Sequence, residues 1–374
     1  MSGRQHDQES DSLDPPSEKA RWPGATPDDG QINTDPMSDV LETIRLSGAL
    51  FFLWEPSWPF GVGVADGSKL SRHIVPGTDQ VISYHIVTEG PCWAAIRDCD
   101  PIRLETGDIL VLPQGDAYKI ADTPQFPSAA DEQSSIRFFS AMAAGEVPPV
   151  VVDGGAGPGR SKLICGFLGC NLRPYNPLLS TLPRMIRVPA PLHQDDPLSH
   201  LIDFALTESR QARGGERCLL LRLSEVMFVE VLRRYMRVAT EPESGWLGGL
   251  RHPLVGRALG LLHQDIARQW SLEQLSQSIG ASRSTLAERF TQIVGKPPMQ
   301  YLTHWRMQVA ASMLSEKPVK VYAIAKEVGY ESEAAFSRAF KRVVGLSPKA
   351  WREQSARRDD FDRGQPGTRS RSPA

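Results

Sequence analysis

LSQSIGASRSTLAERFTQIVGKPP (275–298) and IAKEVGYESEAAFSRAFKRVVGLSP (324–348) are two copies of one pattern. Gly280 aligns with Gly329, Ser282 with Ser332, Leu286 with Phe336, Phe290 with Phe340, Gly295 with Gly345, and Pro298 with Pro348. The offset is 49 before the central turn and 50 after it, because the second turn is one residue longer. A pattern repeated in this register implies one supersecondary unit used twice. Each copy has the grammar of helix, turn, helix. In the first, Ser271 and Gln274 form a capping box, and Leu272, Leu275 and Ile279 supply a buried stripe. Gly280 is the left-handed stop, and Ser282 caps a second helix with the apolar face Leu286, Phe290, Ile293 and Val294. The second copy repeats this with Ile324, Ala325 and Val328, then Gly329, Ser332, and Phe336, Ala339, Phe340 and Val343. MQYLTHWRMQVAASML (299–314) reads as a helix joining them, and Ser347-Pro348 opens a last short helix.

The segment around the repeat is basic. Residues 251–353 carry 15 Lys and Arg against 8 Asp and Glu, while residues 1–250 carry 22 against 33. The overall charge of -2 conceals that asymmetry. A basic module joined to an acidic body suits a polyanionic partner for the C-terminal part alone. With 374 residues, 40% apolar and 23% charged, the chain fits a soluble globular protein of two or three domains. Collagen-like, wholly disordered and disulfide-scaffold classes are excluded. No apolar run approaches the roughly 18 residues a bilayer span needs. MSGRQHDQESDS (1–12) lacks the apolar stretch of a secretory signal, so a cytoplasmic location is expected. Cys92, Cys99, Cys165, Cys170 and Cys218 are an odd, scattered set that argues for reduced thiols.

Residues 1–36 are rich in Ser, Asp, Pro and Gly and read as a disordered leader, as do 354–374 at the other end. Between 37 and 190, short apolar runs such as QVISYHIV (80–87), CWAAI (92–96) and DILVLP (108–113) alternate with turn residues, which is strand spacing. TPQFPSAADEQSS (123–135) and GEVPPVVVDGGAGPGRSK (145–162) read as long loops. From 191 to 238 the period becomes helical. The second of two helices there is apolar around more than half its circumference, at Leu219, Leu220, Leu223, Val226, Met227, Val231, Leu232 and Tyr235. Two readings stand for that helix: burial within one subunit, or a homodimer interface. ATEPESGWLGGL (239–250) reads as a linker.

The paired motifs, the joining helix with YLTHWRMQVA, and the endings GKPPMQYL and GLSPKAWR resemble the DNA-binding domain of AraC-family transcription regulators over 251–353. More loosely, 37–190 is similar to the cupin-type sensor of one AraC subgroup, through GPCW (90–93), GDILVLPQGDAY (107–118) and LICGFL (163–168). The fold class implied is α+β: an N-terminal cupin-like β-barrel followed by helices, then an all-α double helix-turn-helix domain. In such a motif the second helix enters the major groove, and its outward N-terminal side chains meet base edges. The candidates are Ser282, Arg283, Ser284, Thr285 and Glu288 in the first copy. In the second they are Ser332, Glu333, Ala334, Ser337, Arg338, Lys341 and Arg342. The resemblance places Ser284, Glu288, Ala334 and Arg338 at base-reading positions. Arg338 suits guanine, since Arg bonds O6 and N7 together. Arg283, Lys341 and Arg342 suit phosphates.

In the sensor, Gly107, Pro113 and Gly115 fit the second cupin motif, but Tyr118 stands where its His belongs. The first motif offers His85 and Glu89 without the partner His. At most two ligands are in register, against the three a catalytic metal usually keeps, so neither a metal nor another cofactor is expected, and an enzyme is not. His85, Trp93, Pro113 and Tyr118 are candidates for an effector pocket, or are ordinary barrel packing. The expected partners are double-stranded DNA, a small-molecule effector or oxidant, RNA polymerase as for an activator, and a second copy of the chain, with no membrane. Two other readings remain: a cupin enzyme with a DNA anchor, and a DNA-binding protein whose barrel only dimerises it.

Overall fold

The computed structural model describes residues 35–44, 46–126, 132–171, 173–190, 196–211, 213–238, 245–316 and 319–363. The leader reading therefore lies almost wholly outside the described residues. The chain starts with α1 (Pro36–Ile44), β1 (Ser47–Ser57), β2 (Gly61–Val64), α2 (Gly67–Ile74), β3 (Gln80–Glu89) and β4 (Cys92–Ile96). It continues through β5 (Ile102–Leu104), β6 (Ile109–Leu112), β7 (Tyr118–Ala121), α3 (Glu132–Ala144), β8 (Val150–Gly154), β9 (Lys162–Cys170) and β10 (Ile186–Val188). Two sheets result, of six strands ordered β10-β6-β3-β9-β1-β8 and of four ordered β2-β7-β4-β5. No strand pairing among the described residues joins their edges, so the expected barrel is two facing sheets rather than a ring closed by hydrogen bonds.

Strand β3 explains how the six-stranded sheet is covered on both sides. Its side chains alternate, so Val81 and Val87 enter the core between the sheets while Ile82, Tyr84 and Ile86 enter a second core behind. That second core is roofed by α4 (Pro197–Glu208) and α5 (Glu216–Val238). Tyr84 opposes Gly166 across the β3–β9 pair, and its ring occupies the space a Cβ at Gly166 would need. The Tyr84 hydroxyl reaches Ser224 on α5, 3.1 Å from Oγ. Gly48 admits the backbone of α5 in the same way, and its N–H donates to Glu225 Oε1 at 2.8 Å. Most of the apolar circumference of α5 is thus buried by its own subunit, and Leu219 and Val226, with Phe204 on α4, stay exposed.

The C-terminal half is helical: α6 (Trp246–Arg251), α7 (Pro253–Gln264), α8 (Leu272–Ser278), α9 (Arg283–Val294), α10 (Pro298–Glu316), α11 (Val321–Glu327), α12 (Glu333–Val344) and α13 (Pro348–Arg363). Four stretches differ from the sequence reading. The first expected loop already holds the start of α3, and the second contains β8, which pairs parallel with β1 from Leu53 opposite Val150. The end of the expected linker is α6, with Trp246 fully buried. The expected tail begins as α13, which runs on to Arg363, while 364–374 lie outside the described residues.

Candidate nucleic-acid interface and sensor interior

Both helix-turn-helix units are built by local hydrogen bonds. The Ser271–Gln274 capping box is complete, with the Ser271 N–H donating to Gln274 Oε1 at 3.0 Å and the Gln274 N–H to Ser271 Oγ at 3.1 Å. Ser282 Oγ accepts from the Thr285 N–H at 3.1 Å, and Ser332 Oγ from the Ala335 N–H at 3.2 Å. Leu286, Phe290, Phe336 and Phe340 are fully buried. Gly295 and Gly345 end α9 and α12 in the left-handed conformation.

The two turn glycines serve different needs. Gly280 (φ +69°) faces open space, whereas a Cβ at Gly329 (φ +81°) would lie 2.4 Å from the Ala267 carbonyl oxygen. Gln269 also donates to the Gly329 carbonyl, at 2.5 Å. Arg306 of α10 donates to the carbonyls of Ile266 (2.8 Å) and Arg268 (2.6 Å), which locks the α7–α8 turn against α10. Gly280→Ala is therefore expected to cost about 1 kcal/mol, from the left-handed backbone alone. Gly329→Ala is expected to cost about 2 kcal/mol or more, since a backbone oxygen must also move. Thermal melts of the two variants check the difference.

The candidate DNA-facing side chains stand outward. Ser282, Arg283, Ser284, Thr285 and Glu288 on α9 are exposed, as are Ser332, Glu333, Ala334, Arg338, Lys341 and Arg342 on α12, with Ser337 half-buried. The unit starts differ in charge: the first turn of α9 holds Arg283 and no acid, that of α12 holds Glu333. Ser282 Oγ, occupied as a cap, sits 2.9 Å from Ser284 Oγ and 2.8 Å from Thr285 Oγ1. A hydroxyl-lined helix start beside an arginine is suited to a phosphate. The last turn of α12 carries Lys341 and Arg342. On α9 the sequence reading passed over Arg289, exposed like its neighbours and donating to Gln292 Oε1 at 3.0 Å.

The N-terminal candidates divide. His85 and Tyr118 come together between the sheets, with His85 Nε2 2.5 Å from the Tyr118 hydroxyl and Nδ1 3.1 Å from Cys165 Sγ. The Phe167 ring packs edge-on to His85 at 5.8 Å. Burial pulls the His85 pKa down to about 3 and pushes the phenol of Tyr118 well above its usual range. Pro113 is buried, but Trp93 leaves this group, because on β4 it is Cys92, Ala94 and Ile96 that point inward. Glu89 sits exposed at the end of β3, paired with Lys162. No group of three His, Cys, Asp or Glu side chains that could hold a metal occurs among the described residues. Burial pushes the thiols of Cys92 and Cys170 up to about 12 and that of Cys165 well above its usual range, so they stay protonated near neutrality. Cys99 and Cys218 are exposed.

A third cluster escaped the sequence reading because its members are far apart in the chain. His263 of α7, its side chain wholly buried, stands 3.1 Å from the Asp39 carboxylate of α1 and 2.8 Å from the Tyr301 hydroxyl of α10. Trp246 Nε1 donates to the same hydroxyl at 2.7 Å. A neutral imidazole satisfies every group in one direction: Trp246 to Tyr301, Tyr301 to His263 Nε2, and His263 Nδ1–H to Asp39. Burial lowers the His263 pKa against the opposing pull of Asp39, which suits that neutral form.

Comparison with known proteins bears on both halves. The Cupin family model matches residues 35–237, and the Helix-turn-helix domain model matches 275–354. An AraC-like transcription regulator of Streptomyces lividans is 33% identical over 331 residues, covering 85% of this chain and 98% of that protein. The transcriptional regulator AlkR of Acinetobacter baylyi is 28% identical, over 86% of this chain and all of the relative. Among solved structures, the C-terminal domain of AraT, a response regulator from Geobacillus stearothermophilus, matches 28% of this chain and 86% of its own. Its identity is 30% and its TM-score 0.27.

Proposed function

The chain belongs to the AraC-like transcription regulators that carry an N-terminal cupin domain, and on that premise we propose that it reads two successive major grooves under the control of a signal received by the sensor. The observation that carries this is the pair of like-built units, each presenting an exposed N-terminal face on its second helix. The 19 residues of α10 between them span about 28 Å at 1.5 Å per residue, close to the roughly 34 Å of one duplex turn. Arg338 then bonds a guanine edge, Ser284, Glu288 and Ala334 face neighbouring bases, and Arg283, Lys341 and Arg342 hold phosphates.

Arg338→Ala tests the assignment by gel shift on the mapped operator and on random duplex. The expected loss is roughly 1–3 kcal/mol on the operator, with nonspecific binding scarcely changed. Equal loss on both duplexes would move Arg338 to a phosphate. Lys341→Ala should weaken both and lower the salt dependence by about one counterion.

The signal is a small molecule or an oxidant. The protonated, buried thiols favour the small molecule over oxidation of Cys92, Cys165 or Cys170. A second copy of the chain pairs through the outer face of α4 and α5, where Phe204, Leu219 and Val226 are exposed. RNA polymerase is the further partner that such a regulator needs at a promoter.

A further inference from the structure

The two reading units are not held alike. One continuous apolar core runs from the back of the six-stranded sheet through Leu178, Leu179 and Leu182 to Trp246, α7, α8, α9 and the first half of α10. The second half of α10, from Met307, closes a separate core with Ile324, Val328, Phe336 and Phe340. Among the described residues the sensor therefore completes the interior of the first unit and adds no side chain to that of the second.

Most of the polar contacts fall on the first unit too. The Gly245 N–H, just ahead of α6, donates to the Ile293 carbonyl in the last turn of α9 at 2.7 Å. Thr181 Oγ1 accepts from the Trp246 N–H at 3.1 Å, and Asp39 meets His263 as described. Tyr175 lays its ring edge-on to Tyr301 at 6.1 Å and against His304 at 5.3 Å, with Lys296 Nζ 5.8 Å above it. Its backbone N–H donates to Gln308 Oε1 at 2.8 Å, a tie to the second half of α10 that a change of the Tyr175 side chain leaves in place. Toward the second unit the sensor faces an open cleft instead, with Thr43 and Asn171 on one wall and Ala311, Ser312, Trp351 and Ser355 on the other.

We infer that Asp39 and Tyr175 of the sensor are positioning residues for the first reading helix, α9, and that the second, α12, keeps its place without them. This rests on the DNA-reading proposal above and says which half of that reading the sensor governs. Local opening is controlled by the buried contacts of each cooperative unit. Loss of the Tyr175 ring or the Asp39 acceptor removes contacts from the core shared with α9 and none from the core of α12.

The test is peptide-resolved hydrogen exchange on the full chain, with footprinting on the mapped operator. Tyr175→Ala and Asp39→Ala should speed exchange in 275–294 by about tenfold, the worth of one such contact. Exchange in 324–344 should stay within about twofold, well below the tenfold that 1.4 kcal/mol would produce. Tyr175→Phe keeps the ring and Asp39→Asn keeps an acceptor for His263, so both should return to the wild-type pattern. On DNA, the alanine variants should lose protection on the half-site under α9 and keep it under α12. Equal acceleration in both units, none in either, or no rescue by the conservative variants would overturn the inference. A protein with the expected exchange pattern but no footprint on any duplex would instead sink the DNA reading and leave the mechanical asymmetry standing.

Discussion

Trp246→Ala is expected to lower the stability of the chain by about 3–5 kcal/mol, the usual cost of truncating a large buried aromatic. The indole is fully buried where α6 meets α7 and α10, 6.2 Å from His263 ring to ring. Truncation empties that volume and strips Tyr301 of the donor it has at 2.7 Å. Trp246→Phe retains most of the apolar area and isolates the hydrogen bond, at about 1 kcal/mol. Urea titrations followed by circular dichroism separate the two variants. A loss below about 1 kcal/mol for the alanine variant would return 239–250 to the role of a solvated linker. The core joined by Trp246 spans the cupin domain and the first unit, so both should lose structure in one transition.

Acid should destabilise the protein through His85. In the unfolded chain its imidazole titrates near its ordinary value of 6.5, and in the native state only at about 3. Between those limits the unfolded state binds more protons, so stability falls as pH falls, by about 1.4 kcal/mol per unit. The stabilisation is fully present above about pH 6.5, and roughly 3 kcal/mol of it is gone by pH 4.5. The groups facing His85 are the Cys165 thiol and the Tyr118 phenol, and burial keeps both neutral through this range. Burial of His263 contributes with the same sign. The check is the difference in urea midpoint between wild type and His85→Gln from pH 4.5 to 7.5. It should be flat above neutrality and shrink toward acid. A difference independent of pH would mean the imidazole is solvated.

The parts legible in the sequence are those fixed by neighbours in the chain. Capping serines, left-handed glycines and i, i+4 apolar spacing are local signals, and the two motifs appear where Ser282, Ser332, Gly295 and Gly345 place them. The double-sided apolar character of α5 was legible too. Its cause is the sheet behind Tyr84 together with α4, while Leu219 and Val226 on its outer face stay exposed. What could not be read depends on distant partners. VVVDG looks like loop because prolines and glycines flank it, and it becomes β8 only because β1 offers a free edge in parallel register. Trp246 lies in a glycine-rich run whose composition says linker, and its partners Tyr301 and His263 come from two other helices. Motif order groups Trp93 with His85, whereas the side-chain alternation of β4 separates them.

The shared core also governs how this regulator can be rewired. A chimera that grafts its DNA reader onto a foreign sensor fails if the splice falls in 239–250, however natural that seam looks. The transplanted piece must bring Trp246, and the recipient must reproduce the Tyr175–Leu182 strap and an acid opposite His263. The second unit, closed by its own side chains, is the module that tolerates exchange, and on the reading proposed above swapping residues 333–342 alone would retarget one of the two half-sites.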